Sequence, residues 1–259
     1  MSENQVSFFK VNQKTPIELS NIYNNTMLLI LVTSGVKVIK YEDGTYQAVE
    51  KGQVLVISPK KFITVNNQPE KNGAYQAICL SYSNINQWTK YLQKQHRRVA
   101  PQYQVIQSVS GSLVNLFHSL EQYQDLSTIP QEVKCHRFIE PIIWLNLLGI
   151  NFNFQTEDTI YNDVRDLILS NLSFRWKITQ VALYFGYSEA KLRRKLLLFN
   201  TTFSRLLINI RLETSLFLLQ TTKQSLTEIS LNCGFSTPSH FSSAFKCRFK
   251  ITPKEIRKN

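Results

Sequence analysis

The chain of 259 residues carries 30 Lys plus Arg against 18 Asp plus Glu, a net +12 from a charged fraction of only 19%. An apolar fraction of 43%, with 16 Phe and 11 Tyr, excludes a disordered polymer, and the length suffices for two ordinary domains. So large a positive excess on so few charges points to a polyanionic partner.

The excess is unevenly placed: from Ile160 onward 16 Lys and Arg stand against 6 Asp and Glu, a net +10, whereas residues 1–159 hold 14 against 12. Cys79, Cys135, Cys233 and Cys247 have no metal-ligand spacing and sit mostly in apolar periodic stretches, which reads as buried thiols in a reducing compartment. No charged head, apolar run and cleavage site open the chain, and Met27–Val32 and Ile139–Ile150 are much shorter than a bilayer span. These features imply a cytoplasmic protein without membrane attachment, metal or cofactor.

The front of the chain reads as sheet. Met27–Val32 is a short apolar run, and Val36–Tyr41 is β-branched and partly alternating, with a turn at Glu42-Asp43-Gly44-Thr45. Tyr46–Val49, Val54–Ile57, Phe62–Val65 and Tyr75–Ser81 follow, separated by Gly52, Pro59 and the break from Gln68 to Gly73. Short strands at this spacing predict a β-sandwich or barrel over 1–83.

After Tyr82 the period lengthens. Ile85, Trp88 and Leu92, then Leu113, Leu116, Phe117 and Leu120, recur as one helical stripe does. A further helix is expected over about 131–148, with Phe138, Ile142, Leu145 and Leu148 on one side and Ile139, Ile143 and Leu147 broadening it. So apolar a helix is expected to be buried from more than one direction, and Pro141 to bend or shorten it. Residues 84–152 therefore form a helical, dimerising segment on the β domain, and Gly149–Asp158 is the boundary before the basic domain, 160–259.

In that domain Val164, Leu167, Ile168 and Leu172 mark one helix, and Ile178, Val181 and Ala182 face inward from a second. Gly186 supplies the left-handed residue that ends it, and Ser188 is the N-cap of a third. There Leu192 and Leu196 turn inward and Arg193 and Arg194 outward, as in a helix-turn-helix whose second helix enters the major groove. The pattern returns about 48 residues later. Leu226, Ile229, Ser230, Gly234, Phe235 and Ser236 repeat the first copy, followed by Phe241 and Phe245 inward and Ser239, Ser242 and Ser243 outward. One long helix from Phe203 to Leu219 joins the copies and sets their recognition helices for successive major-groove segments, about 34 Å apart. Tyr187, Phe235, Phe241 and Phe245 read as core.

The run Leu226–Lys246 followed by Ile251-Thr252-Pro253 resembles the signature of the AraC/XylS family of bacterial transcription regulators. The first copy resembles it more loosely, through Trp176, Ala182, Gly186, Ser188 and Leu192, with Arg211-Leu212 on the connecting helix. The family commonly has glycine where this chain has Asn200 and Lys250; lysine takes left-handed geometry poorly, so a different end to the second recognition helix is expected.

The resemblance implies an α+β protein. A cupin-like N-terminal sandwich or barrel is followed by helices and then by an all-α domain with two helix-turn-helix units joined by a long helix. It implies a sequence-specific activator of virulence-associated genes, with double-stranded promoter DNA and RNA polymerase as partners. It also implies a homodimer and, as effector, a fatty acid or a regulatory protein, with no effector-binding residue assigned. Ala190, Arg193 and Arg194, and Ser239, Ser242 and Ser243, are the base-reading candidates; His240 is either a contact or a polar flank. Lys177, Lys195 and Lys246 are the phosphate contacts.

An enzymatic front domain is the rival of a different class. Metal-using cupins need clustered histidines, yet none precedes His96, and the adjacent Cys135 and His136 point in different directions on a helix. The basic run Lys94-Gln95-His96-Arg97-Arg98 would suit a partner, an anionic ligand or solubility alone. Control by a partner protein in place of a small molecule remains open at this stage.

Overall fold

The computed structural model describes residues 6–83, 92, 98–123, 129–154 and 159–258. The chain divides into two compact units, 1–156 and 157–258. The expected stripe through Ile85 and Trp88, the basic run 94–97 and residues 155–158 of the boundary lie outside the described residues.

Strands of the first unit are β1 (Val6–Gln13), β2 (Ile17–Asn24), β3 (Met27–Ser34), β4 (Val36–Lys40), β5 (Tyr46–Val49), β6 (Val54–Ile57), β7 (Lys61–Gln68), β8 (Tyr75–Tyr82) and β9 (Tyr103–Ile106). They form a five-stranded sheet in the order β1-β8-β3-β6-β9 and a four-stranded sheet in the order β2-β7-β4-β5, all pairs antiparallel. Met27, Leu29, Leu31, Ile78, Leu80 and Tyr82 of the larger sheet join a core with the following helices. Ile30, Val32, Ala77 and Cys79 between them are also buried. Burial on both faces explains the unbroken apolar run of β3, whereas β7 alternates because one of its faces meets water. Strands β1, β2 and β9 add to the expected set. In β2 the period breaks at a register shift between Leu19 and Ile22, where Asn21 has φ +52°, so its sequence does not read as a regular strand.

Among the described residues, two helices cover the larger sheet: α1 (Gly111–Ser119) and α2 (Gln131–Leu147). The Tyr82 hydroxyl donates to the Phe138 carbonyl at 2.7 Å. Of the two expected effects of Pro141, a bend or a shortening, the second does not occur: α2 continues through it. Proline costs about 3 kcal/mol inside a helix, and burial of Phe138, Ile139, Ile142 and Leu145, each worth about 1.5–3 kcal/mol, outweighs it. Ile143, Trp144, Leu147 and Leu148 are exposed in the single chain, Leu148 contrary to its place on the expected inward side.

Between the sheets lies a buried polar group. The Lys37 ammonium donates to Asn67 Oδ1 and sits 5.3 Å over the Tyr75 ring, while Asn67 Nδ2 donates to Gln13 Oε1 at 2.7 Å. Burial lowers Lys37 to about 8 and raises the Cys79 thiol to about 12.

The second unit is all helix: α3 (Ile160–Ser170), α4 (Ile178–Tyr184), α5 (Glu189–Leu197), α6 (Phe203–Thr221), α7 (Leu226–Asn232), α8 (Pro238–Phe249) and α9 (Pro253–Lys258). The spine is α6. A buried ion pair, Arg165 Nη2 to Glu213 Oε2 at 2.8 Å, ties α3 to it. Arg211 of α6 donates to the carbonyls of Leu172 (3.2 Å) and Phe174 (2.9 Å). Arg257 of α9 donates to the carbonyls of Thr222 and Gln224 just past the end of α6. Guanidinium groups thus satisfy carbonyls at and beyond the ends of α3 and α6. Among the cysteines, Cys79 and Cys233 are buried, but Cys135 is half-buried and Cys247 exposed, so the reading of four buried thiols holds for two.

Candidate nucleic-acid interface

Each helix-turn-helix is built by short-range chemistry. Gln180 caps the start of α4 by accepting from the Lys177 amide at 3.0 Å. The helix closes at Gly186, φ +67°, where Gly186 N donates to Leu183 O (3.0 Å) and Tyr187 N to Ala182 O (2.8 Å). This paired closure is a Schellman motif, which needs a left-handed residue. Ser188 then caps α5 by accepting from Lys191 N at 3.3 Å. Leu192 and Leu196 are fully buried, as expected from their spacing.

The second unit repeats this frame. Ser225 and Glu228 form a reciprocal capping box at the start of α7, and those hydrogen bonds hold the Glu228 carboxyl below the usual carboxylate range. Gly234, φ +79°, closes α7 with Gly234 N to Leu231 O at 2.9 Å and Phe235 N to Ser230 O at 3.0 Å. Thr237, one residue after the Ser236 that the repeat aligns with Ser188, accepts from His240 N at 3.2 Å and caps α8. The second turn is therefore one residue longer, and Ser188 matches Thr237, Ala190 matches Ser239, and Arg194 matches Ser243.

The candidate side chains fall on two open helix faces. Ala190, Arg193 and Arg194 on α5, and Ser239, His240 and Ser243 on α8, are exposed, and Ser242 is half-buried. Arg194 lies diametrically across α5 from the buried Leu192 and Leu196, at the centre of the open face. Arg193 is on the flank, paired with Glu189 at 3.3 Å. The His240 ring leans on Phe235, 5.8 Å between centroids. Lys177 and Lys246 are exposed and Lys195 half-buried.

One aromatic departs from expectation: Phe235, Phe241 and Phe245 are core, but Tyr187 is half-buried, with the Lys191 and Lys195 ammonium groups 4.6 and 5.4 Å from its ring centroid. Neither Lys191 nor Glu189 is among the sequence candidates. Glu189 and Arg193 carry a readable signal, their four-residue spacing; the Tyr187 contacts depend on the turn geometry.

The comparisons agree with this geometry. Residues 181–259 match a family described as a helix-turn-helix domain. Transcriptional regulator SirC of Salmonella typhimurium is 33% identical over 98 residues, 38% of this chain and 32% of SirC. Transcriptional activator AggR of Escherichia coli is 27% identical over 160 residues, 59% of this chain and 56% of AggR. The aligned stretch thus spans about a third to a little over half of these relatives. The basic unit is thus similar in sequence to the helix-turn-helix part of known transcription regulators. A crystal structure of a single-residue variant of apo ToxT from Vibrio cholerae superposes with a TM-score of 0.73 at 13% identity, covering 100% of this chain and 98% of that one. The shared fold thus includes the β-rich unit as well as the helical one.

The two positions at which the resemblance implies glycine both take left-handed backbone. Asn200 has φ +51° and Lys250 φ +61°, so lysine does adopt the left-handed conformation, contrary to the expected divergence. Lys250 N closes α8 by donating to Lys246 O at 2.8 Å. The packing of Phe241, Phe245 and Phe249 fixes the end of α8 strongly enough to impose the geometry. Among the described residues no three His, Cys, Asp or Glu side chains gather as metal ligands, and no helix is long and apolar enough to cross a membrane.

Proposed function

We propose that this chain is a sequence-specific DNA-binding transcription activator of the virulence-regulator type. The carrying observation is the doubled frame, in which α5 and α8 both expose the side chains that a major groove would meet, on a unit of net charge +10. Arg194 reads a base, with guanine as its bidentate partner, while Ala190, Ser239, Ser242 and Ser243 contribute contacts of lesser strength. Lys177, Lys195 and Lys246 hold phosphates. RNA polymerase is the partner through which such a protein acts, and SirC and AggR are a transcriptional regulator and a transcriptional activator.

The first unit supplies dimerisation and control. Ile143, Trp144, Leu147 and Leu148 give α2 an apolar outer face suited to a second copy. ToxT has been crystallised with an unsaturated fatty acid, which makes a fatty acid one reading for the effector. Control by a regulatory protein is the alternative reading.

Selection of duplexes from a random library by the full chain tests the DNA reading. One asymmetric motif is expected, bound at least about a thousandfold more tightly than its scrambled version, with affinity falling steeply as salt rises. Recovery of no motif overturns it. Sedimentation of the wild-type chain beside Leu147→Glu tests the dimer: only the wild type should associate.

A further inference from the structure

We propose that Tyr187 is the platform of a preformed phosphate seat, in which Lys191 and Lys195 together hold a backbone phosphate of duplex DNA beside recognition helix α5. The inference rests on the DNA-binding reading above and assigns a site to residues outside the base-reading face.

Lys191 and Lys195 are one helical turn apart, a spacing at which like charges repel and flexible side chains splay. Here they converge. Both ammonium groups lie over one ring, at 4.6 and 5.4 Å from its centroid. The ring's negative face attracts each cation, but it does not neutralise two positive charges held together; an anion does. The platform is fixed by the turn: Tyr187 N donates to Ala182 O at 2.8 Å, one residue before the Ser188 cap. The Tyr187 backbone therefore cannot shift without opening the turn.

Position along the helix identifies the anion. Lys191 and Lys195 lie beside Arg194 on the flank away from Glu189 and Arg193. With Arg194 toward base edges, that flank faces one wall of the major groove, which is lined by phosphodiesters. The second unit shows the frame without the seat. Phe235 replaces the tyrosine, His240 packs on it at 5.8 Å, and Ala244 stands at the position matching Lys195.

The test uses the full chain and a random-sequence duplex of about 30 base pairs, since phosphate binding is independent of sequence. Wild type, Tyr187→Phe, Tyr187→Leu, Lys191→Gln/Lys195→Gln and the triple variant with Tyr187→Leu would be compared by fluorescence anisotropy from about 50 to 300 mM salt, with circular dichroism reporting the fold. The Phe variant should match wild type. Tyr187→Leu should weaken binding about tenfold at low salt and make the plot of log affinity against log salt shallower by about one. In the Lys191→Gln/Lys195→Gln background it should have no further effect. A wild-type slope in folded Tyr187→Leu, or an undiminished effect in that background, overturns the seat while leaving the DNA reading intact. Failure of the wild type to bind the duplex in a salt-dependent way overturns both.

Discussion

The two helix-turn-helix units share a backbone and differ in what they display on it. Gly186 and Gly234 close their first helices with the same pair of hydrogen bonds, and Ser188 and Thr237 cap the second ones. Asn200 and Lys250 take the same left-handed turn, and Thr202 and Thr252 start the helices beyond. On that common frame α5 presents Arg193, Arg194, Lys191 and Lys195, whereas α8 presents Ser239, His240, Ser242 and Ser243. The comparison separates two kinds of constraint. Caps and left-handed residues answer to the backbone, so they recur; exposed side chains answer to a partner and are free to diverge.

The glycines test the first half of this claim, with the largest effect expected. At Gly186 a Cβ would meet nothing within 4 Å, so Gly186→Ala carries only the left-handed penalty of about 1–2 kcal/mol. At Gly234 a Cβ would lie 2.4 Å from the Leu172 carbonyl oxygen and 2.7 Å from Arg211 Cζ, the same two groups that hydrogen-bond to each other. Gly234→Ala therefore adds a disrupted part-buried hydrogen bond to the same penalty, about 3 kcal/mol or more in all. Urea unfolding, with amide exchange in α4 and α7 to localise the loss, should show the two substitutions at least about 1 kcal/mol apart. Equal losses would mean that Arg211 does not brace the second turn.

The second half of the claim is tested on the selected duplex. Arg194→Ala should cost about 1–3 kcal/mol there and little on scrambled DNA, while the matching Ser243→Ala should cost under about 1 kcal/mol. Arg193→Ala is expected between them, because Glu189 already engages that guanidinium. Equal losses from Arg194→Ala and Ser243→Ala would erase the proposed asymmetry between the units. Equal losses on both DNAs would make Arg194 a phosphate contact.

The sequence disclosed the helical unit better than the sheet unit for a physical reason. Its helices are short, amphipathic and locally capped, so Leu192 with Leu196 and Phe241 with Phe245 announce an inward face by spacing alone. The larger sheet is buried on both faces, so β3 shows no alternation, and β2 contains an irregularity at Asn21 that conceals its period. The exposure of the candidate side chains on α5 and α8 was legible because it follows from helix geometry. The contacts among Tyr187, Lys191 and Lys195, and the carbonyl caps made by Arg211 and Arg257, join residues across turns, which a linear period does not record. The repeat aligns Ser236 with the Ser188 cap, but Ser236 and Thr237 are both competent cap residues and only the turn geometry selects Thr237.

A titrating group divides the units as well. Cys233 is fully buried in the second, and burial raises its thiol to about 12, while the matching position in the first is Phe185. An unfolded thiol ionises from about 9, the folded one not until about 12. The stability this group contributes is therefore complete below pH 9 and lost as pH rises, by about 1.4 kcal/mol for each pH unit. Against wild type, Cys233→Ala should flatten the alkaline fall in stability between pH 9 and 10.5 by about that slope. Parallel curves would place the thiol in contact with solvent and remove this difference between the units.

The smallest effect concerns the two left-handed positions. Lysine at φ +61° pays about 1–2 kcal/mol for its Cβ, and asparagine at φ +51° pays less because its short amide tolerates that region. Glycine removes the strain but loosens the unfolded chain by about 0.4–1 kcal/mol. Lys250→Gly should therefore stabilise the chain by a few tenths of a kcal/mol to about 1, and Asn200→Gly should be neutral or slightly destabilising. One further term opposes the gain: a cation just past α8 interacts favourably with the helix end, by about 0.3–1 kcal/mol at low ionic strength. High salt screens that attraction and leaves the backbone strain unchanged. Urea unfolding in about 1 M NaCl should then show Lys250→Gly gaining relative to its low-salt value. Asn200→Gly, which loses no charge, should be indifferent to salt. If Lys250→Gly destabilises at both salt concentrations, the strain at Lys250 is smaller than its geometry implies, and the second unit keeps its lysine for an interaction that the turn alone does not explain.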